Sequence, residues 1–160
     1  MARKPVIEVR WPTAEDGRYL IDHMRTSDRM ELEATIGEAC PYLCMDVVLA
    51  RCSHAWAVFA DGRLLMIGGL VPTGTLLTAD EAEPWMMGTT DLERLPGALT
   101  RVALRYLAVM KGHYRRLANH VDARNTTSIR WLKRLGFRVH EETVPYGPYG
   151  LPFHLFEMDH

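Results

Sequence analysis

The most constraining feature of this 160-residue sequence is a hairpin signal between two segments that are apolar on both faces. Asp61-Gly62 separates the segment His54–Ala60 from residues 64–71. An Asp-Gly pair is a preferred two-residue turn between antiparallel strands. A strand with one solvated face alternates apolar and polar residues, whereas a strand apolar on both faces must be covered on both. The sequence therefore predicts a sheet with helices packed on each side.

Helix and strand signals alternate along the rest of the chain. Further strands are predicted at residues 6–9, 84–88, 117–121, 137–144 and 153–158. Helices are predicted after the cap Thr13, from a cap at Ser27 or Asp28 to Gly37, at 41–50, at 96–111, and from the cap Asn125 to Gly136, with a loop at 72–82. This order predicts a single domain over residues 1–160, an α/β sandwich with a mixed sheet.

Charge and composition exclude several classes of protein. The 19 Lys and Arg residues against 20 Asp and Glu residues give a net charge of −1, which argues against a nucleic-acid partner. No apolar run approaches the roughly 20 residues of a membrane-spanning helix, and the first residues lead into a strand instead of a signal peptide. The cysteines have no His or carboxylate partner at ligand spacing, so no metal site is predicted.

One segment carries a more specific pattern. Residues 121–137 read VDARNTTSIRWLKRLGF, in which Asn125 caps a helix and Gly136 ends it. Ser128 follows Asn125 after three positions, and Gly136 and Phe137 follow it after eleven and twelve. This spacing, together with the order of elements, resembles the GNAT superfamily of acyl-CoA N-acyltransferases. The resemblance implies a largely antiparallel sheet of about seven strands, splayed between the fourth and the fifth.

The C-terminal half also resembles a narrower group. These are small GNAT-like proteins of tailed phages and prophages, some of them related to an internal virion protein of short-tailed coliphages. The similarity covers Pro84-Trp85, the segment from Asn125 to Phe137, and residues 152–158. Members of this group need not be enzymes, so the resemblance leaves two functions open.

The first hypothesis is a phage- or prophage-encoded N-acyltransferase that moves an acetyl group from acetyl-CoA to an amine of a small molecule or protein. The second is a non-catalytic GNAT-like protein that acts in the virion or in contact with the host. Both imply a protein of the host cytoplasm or the virion that is not secreted, with a second copy or a virion protein as partner.

The resemblance also implies a cofactor site. In GNAT enzymes the pantetheine arm pairs with the exposed edge of the fourth strand, across a gap from Asn125 and Ser128. On this sequence the edge comprises Met86, Met87, Gly88 and Thr89. The pyrophosphate would lie at the helix start marked by Arg94, Gly97 and Ala98, where backbone N–H groups can approach it. The alternative is that Asn125 is only a helix cap, that Ser128 is only a small packing residue, and that Pro96-Gly97 is an ordinary helix start.

The phosphate-binding pattern is incomplete. Leu99 stands where GNAT enzymes have a small residue, and Pro96 removes one N–H donor. Asp91 and Glu93 add negative charge beside the expected phosphates, which is unfavourable for an anion. If the site binds CoA, Leu99 must turn its side chain toward the sheet and Arg94 must offset the acidic residues.

The proton-transfer groups are also only partly matched. Many GNAT enzymes have a Tyr that protonates the leaving thiolate at the position of Leu132, and Leu132 has no proton to donate. Trp131 is predicted to be a packing or rim aromatic. His120 and Asp122 are candidate catalytic bases, since alternation places both on one face of the fifth strand and a histidine pKa of about 6.5 suits this role. The alternative is that His120 is a surface or hydrogen-bonded strand histidine.

Overall fold

The computed structural model describes residues 1–75, 77 and 79–160. The strands are β1 (Ile7–Arg10), β2 (His54–Ala60), β3 (Arg63–Thr73), β4 (Glu81–Gly88), β5 (Arg116–Asp122), β6 (Arg138–Tyr146) and β7 (Leu151–Asp159). The helices are α1 (Ala14–His23), α2 (Thr26–Ile36), α3 (Pro41–Arg51), α4 (Pro96–His113) and α5 (Thr126–Leu135), with a short 3-10 helix (Thr90–Arg94) before α4.

The strands form one open sheet in the order β1-β2-β3-β4-β5-β7-β6. Every neighbouring pair is antiparallel except β4 and β5, which are parallel. The mixed, largely antiparallel sheet of about seven strands is therefore confirmed. No helix within the described residues is long and apolar enough to cross a membrane.

The central hairpin forms as predicted. Ala60 pairs with Arg63, which leaves Asp61 and Gly62 as a two-residue turn. Both turn residues have positive φ, 47° and 79°, as the tight turn between twisted strands requires. The Asp61 carboxylate also accepts the N–H of Val6 at 3.0 Å, so the turn is tied to the start of the sheet.

The predicted loop at residues 72–82 is too long. β3 continues to Thr73 and β4 begins at Glu81, because Thr73 pairs with Glu81 and Pro72 with Ala82. Pro72 is tolerated since β2 pairs with β3 only as far as Leu70, so no strand there needs its missing N–H. Of the predicted loop, residues 76 and 78 lie outside the described residues.

The predicted cap of α2 is wrong. The helix begins at Thr26 with Arg25 as its N-cap residue, and no side chain caps it. Asp28 lies inside the first turn, where its carboxylate bonds Arg25 and the N–H of Gly88 instead of its own helix. Asp28 therefore accepts a hydrogen bond from a distant strand, at Gly88, and does not cap α2.

Helices pack on both faces of the sheet, as the doubly apolar strands predict. On one face, α1, α2 and α3 pack Leu20, Leu32 and Met45 against Ala57 and Ile67. On the other face, the core joins α4 and α5 to β5 and β7, with members that include Leu107, Leu117, Val121, Leu132 and Phe156.

The glycine that ends α5 has the predicted conformation. Gly136 has φ 99° and ψ 8°, and its N–H bonds the carbonyl of Leu132. The next residue, Phe137, is buried and meets Phe156 edge-on at 5.2 Å. The left-handed conformation of Gly136 therefore ends α5 and places the next residue, Phe137, in the core.

Candidate active site

The site begins where β4 and β5 separate. The two strands pair only at Glu81 with Arg116 and at Ala82 with Leu117. Beyond this point the Asn119 side chain donates to the carbonyl of Pro84 at 3.0 Å, a single bond in place of a backbone ladder. Pro84 cannot donate to a neighbouring strand in any case. The predicted splay is confirmed, because the two strands are unpaired beyond Ala82 and Leu117 and leave a gap between them.

The pairing register decides which residues of β4 face this gap. Thr89 N–H donates to the Leu65 carbonyl at 2.8 Å, so its backbone faces β3. Backbone groups alternate along an antiparallel strand, so Gly88, Met86 and Pro84 face the gap. The Gly88 N–H donates to Asp28 at 2.7 Å, and its carbonyl accepts the N–H of Arg25 at 3.0 Å.

Met86 therefore offers a free backbone edge in the gap. Pro84 has no N–H and Gly88 has both of its backbone groups engaged, whereas nothing in the register occupies those of Met86. Of the predicted cofactor-binding edge, Met87 and Thr89 turn their backbones toward β3. The Thr89 hydroxyl also bonds the carbonyl of Leu64, at 2.8 Å.

The α2 carboxylates tie the two sides of the gap together. Asp28 forms an ion pair with Arg25 at 2.6 Å, and both side chains are almost fully buried. Arg25 reaches across to the hydroxyl of Ser128 at 3.3 Å. Asn125 donates to Glu31 at 3.1 Å and to Asp28 at 3.5 Å.

The buried side chain of Asn125 therefore has two structural roles. Its Oδ1 accepts the N–H of Ser128 at 3.3 Å and caps α5, while its amide donates to the α2 carboxylates. It is 3% exposed, so its amide has little surface left for a ligand. Ser128, by contrast, lines the cavities on both sides of the gap.

Glu31 is the most perturbed carboxylate of the site. Its two oxygens accept the N–H of Asp122 at 2.6 Å and the amide of Asn125. Burial raises the pKa of Glu31 from 4.5 to about 7, despite these hydrogen bonds, which favour the charged form. Sequence reasoning missed Arg25, Asp28 and Glu31, because their partners lie far along the chain.

A cavity of about 660 Å³ lies on the α4 side of the gap. Gly97, Ser128 and Met86 line it, as do Arg130 and Arg134, two positively charged residues one turn apart on α5. Helix geometry leaves the N–H groups of Gly97 and Ala98 without an intrahelical acceptor. The cavity therefore has the start of α4 at Gly97 on one wall and the cationic side chains of α5 on another, and the acidic residue Glu93 also lines it.

The other residues of the predicted phosphate site agree with the prediction only in part. Leu99 is 7% exposed and packs with Val58 and Leu92, so its side chain turns toward the core as predicted. Arg94 lies 3.7 Å from Asp91 and offsets that charge, but it does not line the 660 Å³ cavity. The cations of this cavity come instead from α5 and from Arg25.

A second cavity, of about 240 Å³, lies on the other side of the gap. Its described lining contains the carboxylates of Asp28, Glu31 and Glu83 and no Lys or Arg. Met86, Ser128 and Trp131 line both cavities, so the two spaces meet at the gap. The arrangement can hold an anionic ligand on one side and a cationic one on the other.

The two predicted bases lie in different environments. His120 lines the acidic cavity and stacks on Tyr146, with ring centroids 4.8 Å apart. Burial lowers the pKa of His120, against the opposing effect of Glu83, so the ring is neutral at pH 7. Asp122 is 1% exposed and bonds Arg124 at 2.7 Å. Burial raises its pKa, but the bonds from Arg124 outweigh this and lower it.

Comparison with known proteins gives structural matches only. No protein-family model matches the sequence, and no curated protein does. A GNAT-family acetyltransferase from Streptococcus pneumoniae is 15% identical, with 96% of this chain and 99% of that chain covered and a TM-score of 0.65.

Two further matches were solved with ligands. A putative acetyltransferase from Salmonella typhimurium, solved with its cofactor acetyl-CoA, is 13% identical over 96% of this chain and 93% of that chain, with a TM-score of 0.70. Spermidine N-acetyltransferase from Vibrio cholerae, in complex with CoA and spermine, is 12% identical over 96% and 95%, with a TM-score of 0.70. At these identities the comparison establishes architecture alone, and the architecture of this chain is the GNAT fold.

Proposed function

We propose that this protein is an N-acetyltransferase that uses acetyl-CoA to acetylate a primary amine. The observation that carries the proposal is the free backbone edge of Met86, at the gap where an anion-compatible cavity meets an acidic one. The structural neighbours solved with acetyl-CoA, and with CoA and spermine, support this use of the fold.

The cofactor side of the gap has groups that fit acetyl-CoA. Met86 would pair with an amide of the pantetheine arm, in the position of an added strand. The N–H groups of Gly97 and Ala98 would face the pyrophosphate, with Arg130 and Arg134 opposite. Bound there, the cofactor supplies an acetyl group activated as a thioester.

The acceptor side favours an amine. Glu83 gives this cavity a negative field, to which Glu31 adds when it is ionised, whereas the charge of Asp28 is balanced by Arg25. Such a field attracts a protonated amine. His120 would then take the proton that makes the amine nucleophilic, since burial keeps its ring neutral and no hydrogen bond within the described chain occupies its ring nitrogens. Asp122 is too buried and too firmly paired with Arg124 to share this role.

The decisive experiment combines binding with turnover. Calorimetry should detect acetyl-CoA binding, and a panel of primary amines should release free thiol in the presence of the wild type. His120→Gln should keep cofactor binding and lower kcat by about 100-fold or more. The control is His23→Gln, which alters an exposed histidine on α1. No acetyl-CoA binding at millimolar concentration would overturn the proposal.

That negative result would favour the second candidate, a non-catalytic protein of the same fold. The incomplete phosphate loop is the observation behind it, because Leu99 and Pro96 replace residues that GNAT enzymes use to hold phosphates. A phage or prophage origin, a cytoplasmic or virion location, and a homodimer or virion partner stay predictions of the sequence resemblance.

A further inference from the structure

An apolar cavity of about 110 Å³ lies between the sheet and the helices α4 and α5. None of the described residues that line it is charged, and most are aliphatic or aromatic. Two of them are small, Gly68 on β3 and Ala103 on α4. A side chain at position 68 could not fill the space without strain, because its Cβ would lie 3.2 Å from the carbonyl oxygen of Trp85. Protein cores are close-packed and an unfilled cavity lowers stability, so this one calls for an explanation.

The apolar cavity adjoins the gap between β4 and β5. Met86 and Trp131 line it, and both residues also line the 660 Å³ cavity and the acidic cavity. The backbone of Met86 faces the gap, whereas its side chain packs against the core that contains Met66 and Leu99. A methionine side chain is flexible and adapts its shape to a neighbouring group. A hydrocarbon chain attached to the reacting carbonyl in the gap would therefore enter the apolar cavity past Met86.

We infer that this cavity holds the chain of an acyl group longer than acetyl, so that the protein prefers a short-chain acyl-CoA to acetyl-CoA. The inference rests on the proposed acetyltransferase function and names the donor that the same site takes. The transfer step is the same for either donor. The amine nitrogen forms a bond to the acyl carbonyl carbon, the C–S bond breaks, and its electron pair leaves on sulfur. The amine proton passes to His120, and the thiolate takes a proton from solvent.

The volume of the cavity sets the length of the chain. An apolar protein cavity of about 150 Å³ stays dry and holds benzene, which has six carbon atoms, so a cavity of about 110 Å³ holds roughly four. A butyryl group has three carbon atoms beyond its carbonyl and a pentanoyl group has four. The lining also sets the chemistry of the chain, because a carboxylate loses its hydration there and finds no cation among the described lining residues.

The test compares acyl-CoA donors that differ only in the acyl group. Each methylene removed from water improves affinity up to about fourfold, so calorimetry should show butyryl-CoA binding about tenfold more tightly than acetyl-CoA. Octanoyl-CoA is too long for the cavity and should bind no more tightly than butyryl-CoA. Succinyl-CoA, which has the length of butyryl-CoA and a terminal carboxylate, should show no gain over acetyl-CoA. With one primary amine as acceptor, kcat/KM should follow the same order.

A matched pair of variants locates the effect in the cavity. Ala103→Leu fills the space and should bring the affinity for butyryl-CoA to within about twofold of that for acetyl-CoA. Ala108→Leu makes the same change at an exposed position of α4 and should keep the tenfold preference. Should Ala103→Leu fail to fold, Ala103→Val adds less volume and should still reduce the preference.

The outcomes distinguish the inference from the proposed function. If acetyl-CoA binds and is turned over, but butyryl-CoA is preferred neither in binding nor in kcat/KM, the inference is overturned and the function stands. The same holds if affinity keeps rising to octanoyl-CoA and Ala103→Leu does not change it, since the chain would then bind outside the cavity. If the wild type binds none of these CoA thioesters, the proposed function fails and the inference fails with it.

Discussion

Replacement of Glu31 by Gln should remove a specific part of the pH dependence of stability. Burial holds the pKa of this carboxyl at about 7 in the folded protein, against 4.5 when the chain is unfolded. Between these values the folded state binds more protons than the unfolded state, so stability falls as pH rises. Ionisation of Glu31 costs the fold about 1 kcal/mol at pH 5 and about 3 kcal/mol at pH 8.

From pH 5 to pH 8 the stability of Glu31→Gln should therefore rise relative to that of the wild type by roughly 2–3 kcal/mol. For a chain of this size that corresponds to about 5–10 °C in Tm. Gln can keep only one of the two acceptor oxygens that serve Asp122 and Asn125. The loss of this acceptor lowers the stability of the variant by the same amount at every pH. The slope of the stability difference against pH is therefore the quantity to compare.

The assay is denaturant unfolding of both proteins at intervals from pH 5 to pH 8. The matched control is Glu33→Gln, which removes the same charge from the exposed side of the same helix. A constant difference between wild type and Glu31→Gln across the range would refute the reasoning, because it would mean that Glu31 ionises as easily in the fold as outside it.

Three further substitutions test the architecture around the gap. Gly136→Ala should cost about 1 kcal/mol in denaturant unfolding through its φ of 99° alone, because the added Cβ meets only Met158, at 3.5 Å; an unchanged stability would contradict this. A Cβ at Gly97 would meet no described atom within 4 Å, so Gly97→Glu should change the Tm little. The same variant should weaken CoA binding at least tenfold, as measured by calorimetry. The control, Gly112→Glu at the far end of α4, should leave CoA affinity unchanged. Asn125→Ala should lower stability by about 1–2 kcal/mol, since it uncaps α5 and leaves Glu31 with one donor fewer; thermal unfolding measures the loss.

The parts of this structure that sequence predicted are those with local causes. The Asp61-Gly62 turn, the Asn125 cap and the Gly136 stop each depend on residues within a few positions of one another. The burial of Leu99 follows from its place on the apolar face of α4. Such features can be found without knowing what lies across the sheet.

The edge of β4 could not be predicted in the same way. Its free position, Met86, follows from pairing that begins at Glu81, and the sequence shows a loop there, not a strand. The engagement of Gly88 depends on Asp28, sixty residues earlier in the chain. No local pattern in α2 shows that a first-turn carboxylate bonds another strand instead of capping its own helix.

The phosphate-binding pattern at the start of α4 is incomplete, but the neighbouring helix α5 places positive charge in the same cavity. A bound anion is stabilised by N–H donors and by positive charge, and these can come from different elements of the fold. α4 supplies donors at Gly97 and Ala98, while Arg94 is drawn to Asp91 and lies outside the cavity. The cations come from α5, where Arg130 and Arg134 are four residues apart and therefore share one face. If acetyl-CoA binds as proposed, the N–H donors and the cations for its pyrophosphate would come from two different helices, α4 and α5, which line one cavity only in the folded chain.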